Sequence, residues 1–109
     1  MAIVIGGVDV ETLSARDRAV LAAILTVGSE EQRQAIAGQD ADAYSAVALG
    51  IREEILGLHI EMSDLAHLDA GEFHQIIAQR ASDAIAARYP DLAPVVTQRA
   101  GYLFSFANR

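Results

Sequence analysis

The chain has 109 residues, 52% of them apolar, and a formal net charge of −7 from fifteen acids and eight bases. That length predicts one domain, and that charge argues against a nucleic-acid backbone or an anionic membrane as partner, because both call for a basic patch. All eight bases are arginine and cysteine is absent, which removes lysine Schiff-base chemistry, thiol nucleophiles, disulfides and thiolate metal sites.

Residues 1–12 are read as an N-terminal arm. Its β-branched run Ile3-Val4-Ile5 suits a short strand and is followed by Gly6-Gly7. The start has no basic region of a signal peptide, and no segment has the roughly eighteen consecutive apolar residues of a membrane span. A cytoplasmic location follows as the expectation.

Ser14 is a good N-cap, with Asp17 three residues on, and opens a first helix expected to reach about Val27. Leu13, Val20, Leu21, Ile24 and Leu25 form its apolar face, and Gly28 is its expected stop. Ser29 caps a short second helix, with Gln32 completing a capping box and Glu30 and Glu31 at the positive end of the dipole. Gly38 closes it.

Asp40 caps a third helix, expected to run to about Leu68. It carries Tyr44, Ala48, Ile51, Ile55, Leu58, Met62 and Leu65, whose gaps alternate four and three. That rhythm puts all seven on one apolar stripe. Such a helix is about 40 Å long at 1.5 Å per residue. A domain of this size has a radius of gyration near 13 Å, so one end is expected to project and pair with a second copy. Gly50 and Gly57 each weaken the helix by about 1 kcal/mol relative to alanine, a cost that suits a close helix approach.

Asp69 and Glu72 form another capping pattern, opening a fourth helix from about Ala70 to Tyr89. Phe73, Ile76, Ile77, Ala81, Ala84 and Ile85 face inward, and Pro90 ends it. Asp91 and Pro94 mark a short last helix, Ala93 to Ala100, closed by Gly101. Residues 101–109 are read as an aromatic C-terminal tail. At strand spacing Tyr102, Phe104 and Phe106 share a face, folded over the core or docked on a partner or second subunit, with pairing to Ile3-Val4-Ile5 as one route.

Potential ligands gather around the turn between the third and fourth helices: His59, Glu61, Asp64, His67, Asp69, Glu72 and His74. Imidazole and carboxylate suit zinc, iron or manganese, which makes His59, Asp64, His67 and His74 the metal candidates. Asp64 and His67 share a helix face but lie mostly away from the apolar stripe, and no Glu-x-x-His or His-x-x-x-His pair occurs. The serines lack a glycine elbow, and Gly6-Gly7 lacks the lysine of a phosphate loop.

The expected architecture is therefore all-α: a single small bundle of four to five helices with one long heptad-patterned helix, dimeric through it. The expected function is a non-catalytic, protein-binding regulator or adaptor. Tyr44, Ile51, Ile55, Leu58, Met62 and Leu65 would form the assembly seam, and Tyr102, Phe104 and Phe106 the docking surface. The expected partners are a second copy and another protein, with no cofactor. The alternative is a small metal-dependent or ligand-binding enzyme using the histidine and carboxylate turn.

Overall fold

The computed structural model of the chain describes residues 3–25 and 28–108. Two short strands, β1 (Val4–Ile5) and β2 (Val8–Asp9), precede five helices: α1 (Ala15–Ile24), α2 (Glu30–Ala37), α3 (Ala41–Leu56), α4 (Ala70–Arg88) and α5 (Pro94–Ala107). The fold is thus mostly helical, with one small hairpin.

The helix starts follow from local chemistry. Ser14 Oγ accepts from the Asp17 amide at 3.1 Å. Ser29 and Gln32 satisfy each other's amides in a reciprocal capping box. Asp69 Oδ1 accepts from the Glu72 amide at 2.8 Å, and Pro94 occupies the first turn of α5, where a missing N–H costs nothing. Asp40 stands at the N-cap of α3 without a side-chain bond. α1 ends at Ile24, short of the expected Val27, which lies outside the described residues.

The N-terminal arm pairs with itself. Val4 faces Asp9 and Ile5 faces Val8 in an antiparallel ladder. Gly6 and Gly7 make the turn at φ +58° and +80°, the left-handed backbone that a two-residue hairpin requires. Gly6 lies against the first turn of α5: a Cβ there would stand 3.0 Å from Val95 Cγ2 and 3.4 Å from Arg99 Nη2. The strand therefore does not pair with residues 102–106, which are helical.

Two expected boundaries are corrected. α3 stops at Leu56, with Gly57 as its C-cap, so it has 16 residues rather than running to Leu68. Beyond it, residues 58–62 run without helical structure, and Leu58, Ile60 and Met62 turn inward while His59, Glu61 and Ser63 stay exposed. Leu58 and Met62 are four apart, which fits both a helical and an alternating phase. Ile60 fits only the second. α5, in turn, continues past Gly101 to Ala107, because Val96, Ala100, Leu103 and Phe104 recur at helical spacing and are buried.

α5 is the central member. It packs most extensively on α4 and also touches α3 and α1, while α1 packs on α2 and α3. Val20, Leu21, Ile24, Ile55, Ile77, Ile85, Val96 and Phe104 are the fully buried centre. The far ends of α3 and α4 are pinned by polar contacts. The Tyr89 hydroxyl donates to Glu54 Oε2, and Arg88 Nη1 donates to Oε1 at 2.6 Å. The phenol and then the guanidinium hold the Glu54 carboxyl below its usual range, and the carboxylate in turn pushes the Tyr89 phenol up. The molecule measures 46 × 25 × 21 Å.

Candidate functional site

The stripe expected to join two copies is covered within one chain. Ile51, Ile55 and Leu65 are 3%, 0% and 4% exposed. Tyr44, Leu58 and Met62 are half-buried against the same core. α1 and α5 take up the apolar side of α3, so the seam placed on these six residues becomes interior packing instead.

The histidine and carboxylate turn does not converge. Arg80, on α4, clamps it: Nη1 donates to the Glu61 carbonyl at 2.6 Å and to Asp64 Oδ1 at 3.0 Å, and Nη2 to Asp64 Oδ2 at 2.7 Å. This two-pronged pair holds the Asp64 carboxyl below its usual range and raises the guanidinium further. The Ser63 hydroxyl and amide do the same for Glu61. His59 and His67 are exposed. His74 is half-buried, edge-on to Phe73 with ring centres 5.3 Å apart, and its Nδ1 lies 3.3 Å from Ser105 Oγ. Among the described residues, no group of three histidine or acidic side chains comes together to hold a metal ion. Asp64 thus serves to fasten a loop, and His74 to pack α4 on α5.

The outer face of α4 and α5 has a different character. Gly101 lies where the two helices cross, directly on the main chain of Ala78. Beside the crossing runs a groove of about 290 Å³, lined by Gln75, Ala78, Gln79 and Ser82 of α4 and Gln98 and Tyr102 of α5. Its polar groups are amides and hydroxyls, which both donate and accept hydrogen bonds without carrying charge. Tyr102 is 46% exposed, with the Arg99 guanidinium 5.1 Å from its ring centre. Phe106, one turn further, is 55% exposed. Phe104 points the opposite way and is 2% exposed, so the three aromatics do not form the single face expected of them. The signal for the true face is the spacing of Gln98, Tyr102 and Phe106, each four residues from the next.

A second exposed apolar area lies on α3. Val47, Leu49 and Leu56 are 47%, 57% and 37% exposed. Leu49 and Ser45 border a furrow of about 220 Å³ between α1 and α3, whose other walls are Ala19, Ala23, Ala37, Ala41 and Ala48.

No protein-family model, curated protein or solved structure matches this chain. Among the described residues, no helix is long and apolar enough to cross a membrane.

Proposed function

We propose that the chain is a non-catalytic cytoplasmic regulator or adaptor that works as a homodimer and docks a second protein on the outer face of α4 and α5. The observation that carries the docking reading is the alignment of Tyr102 and Phe106 beside the amide-lined groove. Two large rings, each about half exposed on one helix face, supply apolar anchors of the kind enriched at protein interfaces. Gln75, Gln79, Ser82 and Gln98 supply donors and acceptors suited to a peptide main chain. The net charge of −7 favours a partner surface that is neutral or basic.

The test is site-specific photocrosslinking in the source cells. A photoreactive side chain at Gln98 should give a discrete adduct with another protein. The adduct should disappear when Tyr102→Ala and Phe106→Ala are introduced together. The same adduct from a photoreactive group at Glu31, on the far helix α2, would remove the docking face from consideration.

A further inference from the structure

We infer that the second copy of the chain seats on the Leu49 side of α3, antiparallel, with Leu49 of each copy entering the alanine-lined furrow of the other. This rests on the homodimer reading above and replaces the buried stripe as its contact. Asp42, Ser45, Leu49, Arg52 and Leu56 follow gaps of three, four, three and four, so they share one stripe of α3. This stripe lies beside the buried one rather than on it: Asp42, Ser45, Leu49 and Leu56 are exposed and Arg52 is half-exposed.

The stripe complements itself. It carries a protruding leucine, 57% exposed, at the edge of a furrow walled by alanines and Ser45. A two-fold contact uses the same patch on both copies, so knob and hollow must both be present on one surface, as they are here. The charges set the register. Asp42 stands five residues before Val47 and Arg52 five after it, while Ser45 and Leu49 stand two before and two after. An antiparallel pair centred on the level of Val47 therefore places Asp42 of each copy at Arg52 of the other. It also places Leu49 at the level of Ser45, where the furrow lies. Among the described residues, neither Asp42 nor Arg52 has an ion-pair partner inside the chain. The parallel alternative would set Asp42 against Asp42 and Arg52 against Arg52, which like-charge repulsion disfavours.

Native mass spectrometry and light scattering across a concentration series test the inference. The wild-type chain should run at twice its 11.6 kDa mass. Leu49→Asp should fall to the single mass with its circular dichroism unchanged, because Leu49 is outside the core. Asp42→Arg and Arg52→Asp should each weaken the dimer by at least about tenfold, roughly the effect of two like-charge contacts. The double swap carrying both substitutions should restore it. A wild-type dimer that persists unchanged in Leu49→Asp would overturn the α3 contact while leaving the homodimer reading intact. A dimer lost in both single charge variants and not recovered in the double swap would overturn the antiparallel register. A wild-type chain that stays at single mass at every concentration would defeat the homodimer reading itself.

Discussion

Gly101 and Ala78 meet main chain to main chain: a Cβ on Gly101 would overlap the Ala78 carbonyl oxygen and stand 3.1 Å from Ser82 Cβ. A flexible side chain can swing away from an intruding methyl, but a carbonyl within a helix cannot. Gly101→Ala should therefore destabilise the chain by about 1–3 kcal/mol through forced separation of α4 and α5, despite alanine's helix-propensity advantage of about 1 kcal/mol. Gly50→Ala is the matched control. Gly50 is exposed within α3 with nothing near its missing Cβ, so the same change there should stabilise by about 1 kcal/mol. Urea midpoints that move in the same direction for both variants would contradict this account of the crossing.

The Glu54–Tyr89 bond gives stability a dependence on pH at both extremes. The carboxyl is held below its ordinary value in the folded chain, so its contribution is present above about pH 4.3 and is lost as pH falls through the lower folded value. The phenol is raised, so its contribution is complete below about pH 10 and is lost as pH rises through the higher folded value. Tyr89→Phe should cost about 1 kcal/mol at neutral pH, with Glu54 a third exposed and partly screened. It should also flatten both limbs of a stability–pH curve measured by denaturant unfolding. Parallel curves for variant and wild type would mean that the pair contributes nothing.

Arg80→Gln should act locally. The Arg80 and Asp64 side chains are 36% and 57% exposed, so the ion pair adds less than about 1 kcal/mol to global stability. The guanidinium nonetheless holds the segment after α3 by a carbonyl and a carboxylate. Amide exchange across residues 58–65 should accelerate in the variant while α1 and α5 keep their protection. Uniform acceleration throughout the chain would assign Arg80 a global role instead.

The separation of His59, Asp64, His67 and His74 predicts indifference to zinc. Adding zinc should leave the thermal midpoint unchanged, and His59→Ala with His67→Ala should shift stability by no more than about 0.5 kcal/mol. A zinc-dependent rise in midpoint that disappears in this double variant would reinstate a metal at the turn.

Which boundaries were legible follows from how local their causes are. Ser14, Ser29 and Asp69 act within three residues of themselves, so the starts of α1, α2 and α4 can be read directly. The end of α3 was obscured because Leu58, Met62 and Leu65 continue its phase, although Ile60 breaks it. α5 was obscured because alternating aromatics imitate a strand, whereas burial follows Val96, Ala100, Leu103 and Phe104. Tyr102 and Phe106 are legible as docking aromatics, but only together with Phe104, which is buried, because the face they share belongs to a helix and their groove joins α4 to α5. The alanine furrow likewise draws on residues from α1 to α3. Surfaces assembled across the fold leave no short-range pattern to read.

The seating of Gly6 on Val95 and Arg99 also sets an order of events during synthesis. A two-stranded hairpin is marginal on its own in water, and part of its support here comes from the first turn of α5, against which Gly6 seats. A chain emerging from the ribosome presents residues 4–9 long before residue 95 has been added. The turn at Gly6 must wait for a segment made much later, and closing so long a loop carries its entropic cost before any contact rewards it. Seating of the hairpin's turn is thus a late step, and full protection of Gly6-Gly7 from proteolysis reports that α5 has been made and is in place.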